Sequence, residues 1–342
     1  MGPATPFEIV AFRHLRSWLS EPKHLSFLQT GHGLSHLAIQ NPQPRVQNSK
    51  TNGWREFLPH RLPVFPLDSR LFSRKMRRTG LRIRRQPEPL EHAMRLTSHC
   101  YAATGLGYSS PWCVNAGFVT GHDDTLIIDT GGNALAAQTL HGYALAVRPQ
   151  NRLLALNTEK HFDHIGGNST FRDLGVEIWA HPDCHRTEED FRAEIADMNA
   201  AIPDPVRRAR GEAEAFFTGT RLLAATHEAG EGTSFHLGGV KAEVLATPGH
   251  TATNLSVWIA AERVLYTGDT VVTGYLPNLD AGGVNDWKLW LDALARITAL
   301  NPDILVPGHG QVVAGAQVAA ALERMRQILS QAILEGRSPT AA

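Results

Sequence analysis

Cysteine is scarce in this chain: three residues, Cys100, Cys113 and Cys184, in 342. Three thiols at these spacings make neither a disulfide framework nor a paired zinc ribbon, and they favour a reducing, cytoplasmic setting. No apolar run reaches the roughly 18 residues that a membrane-crossing helix needs. A basic start followed by an unbroken apolar core is also missing, because Arg13, His14 and Arg16 interrupt the first twenty residues, and a secretory signal is not expected. Acidic residues are few up to residue 90, where 5 Asp and Glu face 15 Lys and Arg. Subtraction from 33 of each leaves 28 acidic and 18 basic residues in 91–342. The neutral total therefore hides a basic leader and an acidic body, and an acidic body is a poor partner for nucleic acid.

The basic part also carries 10 of the 20 prolines and shows no sustained helical or alternating period. Arg74, Lys75, Arg77, Arg78, Arg82, Arg84 and Arg85 form a run that fits a phosphate-binding tail, an Arg-rich targeting leader, or an extension with no selected role. Residues 1–93 are expected to be a poorly ordered extension, with the functional domain in 94–342. Met94 or Met76 would then serve as its start.

From residue 99 the pattern becomes regular. Short apolar segments at Cys113–Thr120, Thr125–Asp129, Leu153–Thr158, Val176–Ala180, Lys241–Ala246, Leu255–Ala260, Arg263–Tyr266 and Ile304–Val306 read as strands. Ala134–Val147, Trp287–Leu300 and Val313–Leu334 read as helices, the second with Trp287, Trp290, Leu291, Leu294 and Ile297 near helical spacing. Residues 186–225, rich in Glu, Arg and Ala, read as a helical insertion that either caps a site or pads the surface. Strands followed by helices twice over suit a layered α/β body.

The chemistry concentrates in N-T-E-K-H-F-D-H-I-G-G-N, Asn157 to Asn168. Glu159, His161 and Asp163 alternate, so an extended segment would turn all three to one side; His164 requires a turn, which Gly166 and Gly167 permit. Imidazoles mixed with carboxylates suit zinc, with iron or manganese as alternatives. Three further candidates share one context, a short strand, a glycine, and then His250 (P-G-H-T), Asp269 (T-G-D) or His309 (P-G-H-G). Each alone is an ordinary loop residue; the ordered set is not.

That order of motifs resembles the metallo-β-lactamase superfamily over roughly residues 100–320. The resemblance implies an αββα four-layer sandwich with two metal ions at one edge of its sheets. It implies that His161 and His250, with residue 159, hold the first ion. Asp163, His164 and His309 would hold the second, Asp269 would bridge, and Asp129 would be a buried structural residue. Glu159 stands where the family usually has His. An anion there lowers the site's positive charge, weakens its Lewis acidity and shifts it toward iron or manganese; alternatively it swings away and leaves the first site poorly occupied.

The implied activity is hydrolysis by a metal-bound hydroxide, with Asp163 orienting it or relaying its proton. Tyr275 could donate to a developing oxyanion, although a lone Tyr is more often packing. Within that superfamily an Asp at 269 fits the branches that act on a small ester, thioester or lactone, with β-lactam hydrolysis by the same site as an alternative. A non-catalytic or mononuclear metal-binding member is the competing expectation. The expected partner is a small molecule, with no membrane and no nucleic acid; the oligomeric state is not legible.

Overall fold

The computed structural model describes residues 92–106, 114–201 and 220–339. The basic extension lies outside them except for its last two residues. So do Cys113 and residues 202–219 of the expected insertion.

A seven-stranded sheet runs in the order β1 (His92–Arg95), β2 (Cys100–Leu106), β3 (Val114–Thr120), β4 (Asp124–Ile128), β5 (Arg152–Leu156), β6 (Glu177–Ala180), β7 (His227–Glu228). It is antiparallel from β1 to β4 and parallel from β4 to β7. A six-stranded sheet has the order β13 (Val313–Ala314), β12 (Ile304–Val306), β11 (Val264–Tyr266), β10 (Leu255–Ile259), β9 (Lys241–Ala246), β8 (Ser234–His236). Only β11 and β12 pair in parallel there.

Strand alternation sorts the apolar residues into three cores. Leu126, Ile128, Leu154 and Leu156 of the first sheet meet Val244, Val257, Val264 and Tyr266 of the second. Ile127, Ala155 and Phe118 face the other way, onto α1 (Ala134–Val147). Trp258, Leu265 and Leu305 face outward from the second sheet onto α5 (Val284–Leu300) and α6 (Ala316–Glu335). Helix, sheet, sheet and helix thus stack as the expected αββα sandwich.

Helix α1 begins at Asn133, whose side chain accepts a hydrogen bond from Ala136 N (2.9 Å). Helix α5 buries Trp287, Trp290, Leu294 and Ile297 along one face, and Asn301 ends it in the left-handed conformation. Several of the expected boundaries shift by a residue or more. Strand β5 stops at Leu156 rather than Thr158. Val313 and Ala314 do not open the last helix but pair with β12, because Gly315 at φ 57° turns the chain before α6 begins. Strand β1 spans the division drawn at residues 93 and 94 and pairs along β2. Among the described residues, no helix is long and apolar enough to cross a membrane.

Candidate metal centre

All seven expected donors converge at one edge of the sandwich, on loops that leave β5, β9, β11 and β12. Glu159 lies in the loop after β5; His161 caps the short helix α2 (Phe162–Ile165), which carries Asp163 and His164. Glu159, His161 and Asp163 therefore do not alternate along one strand, contrary to expectation. The segment is not extended through Asp163, and a loop followed by one helical turn brings the donors together. His250 follows β9, Asp269 sits in a 3-10 turn (Gly268–Thr270) after β11, and His309 follows β12. Gly308 lets the last loop approach, since a Cβ there would overlap Asp269 Oδ1. Gly249, at φ 150°, likewise lies against Trp290, so no side chain fits beside His250.

Three sets of donor atoms each lie within 4.8 Å of one another: Glu159, His161 and His250; Asp163, His164 and His309; and Glu159, His164 and Asp269. His161 Nδ1 and His250 Nε2 face each other at 3.1 Å. His309 Nε2 is 3.1 Å from Asp163 Oδ2 and 3.3 Å from Asp269 Oδ2. Both Glu159 oxygens, His164 Nε2 and Asp269 Oδ1 are buried and make no well-oriented hydrogen bond among the described residues; what faces them is one another and His161 Nδ1, at 2.8–3.4 Å. Leaving buried polar atoms unpaired costs about 1–3 kcal/mol each, and more when they are charged. Four such atoms aimed at one another fit a cation; an apolar or hydrogen-bonded core would not leave them so. The mixed imidazole and carboxylate donors suit a divalent metal.

The electrostatics agree with that fit. Burial pushes the carboxyls of Glu159, Asp163 and Asp269 up, but the surrounding imidazoles outweigh it and hold all three below the usual carboxylate range. Burial pushes the imidazoles down, but the carboxylates outweigh it, raising His161 to about 9 and His164 and His309 well above the ordinary value. Ionised carboxylates at this depth demand positive charge, from protons or from metal.

A second layer fixes the donors. Asp129, at φ 62°, accepts from Thr158 N (2.7 Å) and Thr158 Oγ1 (2.7 Å) and lies 2.9 Å from His164 Nδ1, which leaves Nε2 for the centre. It is buried and structural, as expected. Asn278 O similarly faces His250 Nδ1 at 3.0 Å. Three positioning residues escape sequence reasoning. Asn157 Nδ2 donates to His164 O (3.1 Å), and Asn157 pairs with Asn168 through both side-chain amides. Asn115, on β3, donates to Pro307 O (3.0 Å) and Gly310 O (2.8 Å) and so grips the His309 loop from the opposite sheet. Only the asparagines inside the N-T-E…N motif carried a signal, their nearness to the donors.

Of the expected insertion, residues 188–201 form helix α4 (Glu188–Ala201), which packs on α2. It brings Glu194, paired with Arg186 Nη1 at 2.6 Å, into the electrostatic field of His161. Burial pushes the Glu194 carboxyl up, against the opposing pull of His161 and Arg186. A cavity of about 200 Å³ adjoins the motif, lined among others by Asn157, Ile165, Asn168, Cys184, Arg186 and Leu223. Burial pushes both the Cys184 and the Cys100 thiols up to about 12, so neither is a ready nucleophile. Tyr275 is half-buried, and its carbonyl accepts from Arg324 Nη1 at 2.8 Å.

Comparison with known proteins bears on the same stretch. The chain is 28% identical over 183 residues to hydroxyacylglutathione hydrolase of Rhodospirillum rubrum, covering 53% of this chain and 57% of that one. It is 30% identical over 105 residues to the atrochrysone carboxyl ACP thioesterase of Aspergillus fumigatus, covering 29% and 32%, and 31% identical over 87 residues to the Beta-lactamase-like protein 2 homolog of Caenorhabditis elegans, covering 25% and 28%. The chain thus spans about half or less of the length of these curated relatives. The metallo-beta-lactamase of Pontibacter korlensis shares the fold, with a TM-score of 0.52 at 20% identity over 70% of this chain and 98% of that one. The model of the metallo-beta-lactamase superfamily matches residues 111–309, a stretch that takes in every donor from Glu159 to His309, and to that superfamily the chain belongs.

Proposed function

We propose that this chain is a metal-dependent hydrolase that cleaves a small ester, thioester or lactone at a binuclear centre. Zinc is the first candidate occupant, with iron or manganese as alternatives. One observation carries the reading: four buried donor atoms without well-oriented hydrogen bonds meet at the focus of seven ligating side chains. His161, His250 and Glu159 would hold one ion, Asp163, His164 and His309 the other, with Asp269 between them. Divalent metal held by these residues would supply Lewis acidity toward a water and toward the oxygen of the group under attack.

The chain's own residues do the rest. Like Asp269, which is 9% exposed, and unlike the fully buried Glu159, Asp163 keeps a view of solvent at 8%. Its Oδ2 can take a proton from the attacking water and return it to the leaving oxygen or sulfur. Asp129 holds the His164 tautomer, and Asn115 holds the His309 loop. The high thiol values of Cys100 and Cys184 favour attack by water over attack by these cysteines. Thioesters belong among the candidate substrates because the chain is similar to a hydroxyacylglutathione hydrolase and an ACP thioesterase.

The test is turnover of an aryl ester, a thioester and a lactone before and after chelation, with metal content measured alongside. We expect activity that a chelator removes, that metal restores, and that falls about 100-fold or more in Asp163→Ala, the scale of general acid–base catalysis. A metal-loaded, folded protein inert toward all three classes would sink the proposal.

A further inference from the structure

We propose that Glu159 is a second bridging carboxylate, lying alongside Asp269 and binding both ions rather than the first alone. This rests on the binuclear reading above. The Glu159 oxygens divide between the two sets of donors. Oε2 lies 2.8 Å from His161 Nδ1, in the first set. Oε1 lies 3.5 Å from His250 Nε2, also in the first set, and 3.1 Å from His164 Nε2, in the second. Asp269 divides in the same manner: Oδ1 is 3.4 Å from His164 Nε2, while Oδ2 is 3.6 Å from His250 Nε2 and 3.3 Å from His309 Nε2.

The glutamate is fully buried, and its oxygens make no well-oriented hydrogen bond among the described residues, their neighbours being the imidazole nitrogens of His161, His164 and His250. A side chain that served one ion through one oxygen would leave the other oxygen buried and unpaired. A second ion removes that penalty. A histidine offers one ring nitrogen at a time toward the centre and cannot span two ions, whereas a carboxylate has two oxygens able to do so. The exchange of His for Glu at this position therefore changes how the centre is joined as well as its charge. Three carboxylates, two of them shared, make an oxygen-rich centre whose two ions depend on common ligands. Such a donor set moves preference from zinc toward manganese or iron.

The test is competitive chelator titration of the full chain with Zn²⁺ and with Mn²⁺, giving two stepwise affinities, while circular dichroism reports the fold. In Glu159→Gln both steps should weaken by about tenfold or more, the scale on which even outer partners of a metal act. Glu159→His, which supplies a ligand to one ion, should restore one step only and shift preference from Mn²⁺ toward Zn²⁺. If the Gln variant does not fold, Glu159→Asp serves, since a shortened bridge weakens both steps and a shortened terminal ligand weakens one. Loss confined to a single step would overturn the bridge and leave the binuclear hydrolase standing. A folded wild-type protein that binds neither metal would overturn both.

Discussion

Asp129 shows how much a residue outside the donor set can govern it. Its left-handed φ is one that Asn also tolerates, so Asp129→Asn keeps the backbone and removes the charge facing His164 Nδ1. We expect metal affinity to fall about 10–100-fold with little change in fold, read by chelator titration with circular dichroism as control. An unchanged affinity would show that Asp129 serves the fold alone. Gly308 makes a different demand. In Gly308→Ala the new methyl meets Asp269 Oδ1 and the backbone of Gly268. Overpacking of that kind costs about 1–3 kcal/mol, and here the movable group is a metal donor. Both the melting temperature and the metal content should drop; normal metal content would show that the loop relaxes elsewhere.

At the scale of elements, the donors depend on what packs beneath their loops. Trp290 on α5 is fully buried, and its Nε1 donates to Thr270 O at 2.7 Å, which ties the helix to the turn holding Asp269. Thr270 Oγ1 in turn donates to Thr247 O at 3.2 Å, joining that turn to the strand that leads into the His250 loop. Trp290→Phe removes the indole donor and part of the ring, for an expected loss of about 1–3 kcal/mol by denaturant unfolding. Metal affinity should weaken as well; a stability loss without that change would mean the turn is held by its strand alone. The exposed ion pair that Arg296 of the same helix makes with Glu231, in the loop after β7, is a useful contrast, because surface ion pairs contribute only about 0–1 kcal/mol.

Taken as a whole, the molecule places three ionised carboxylates among four imidazoles at the rim of its sheets, and its stability should depend on what neutralises them. Without metal, His161, titrating at about 9, and the similarly raised His164 and His309 bind protons more tightly folded than unfolded. Each contribution is complete below the ordinary imidazole value and is lost as pH rises through that group's raised value, which for His161 is about 9. The lowered carboxyls of Glu159, Asp163 and Asp269 act oppositely: their contribution is present above the ordinary carboxyl value and lost as pH falls. Chelated protein should therefore melt progressively lower from about pH 6.5 upward. Metal-loaded protein, whose imidazoles are already engaged, should not. Parallel melting curves with and without metal between pH 6 and 9.5 would refute this.

The sequence by itself determined which seven side chains to bring together, because metal chemistry limits the residue types and because a glycine before His250, Asp269 and His309 lets the backbone bend toward an ion. It determined the layered fold as well, since strand alternation at Leu126–Ile128 and Leu154–Leu156 already separates an inner face from an outer one. What it could not carry was the path between those points. The motif at 159–164 has the period of a strand yet folds as a loop and a helical turn, because contacts with Asp129, Thr130 and Asn168 override local spacing. Val313 and Ala314 have a helical neighbourhood yet complete a sheet edge, since pairing with β12 satisfies their backbone. The grip of Asn115 on the His309 loop joins residues almost two hundred positions apart, and no local pattern marks it. Above all, only the tertiary structure decided that Glu159 stands between the two donor sets, Oε2 beside the first and Oε1 within reach of both, because that depends on where α2 and the loop after β9 place their histidines around it.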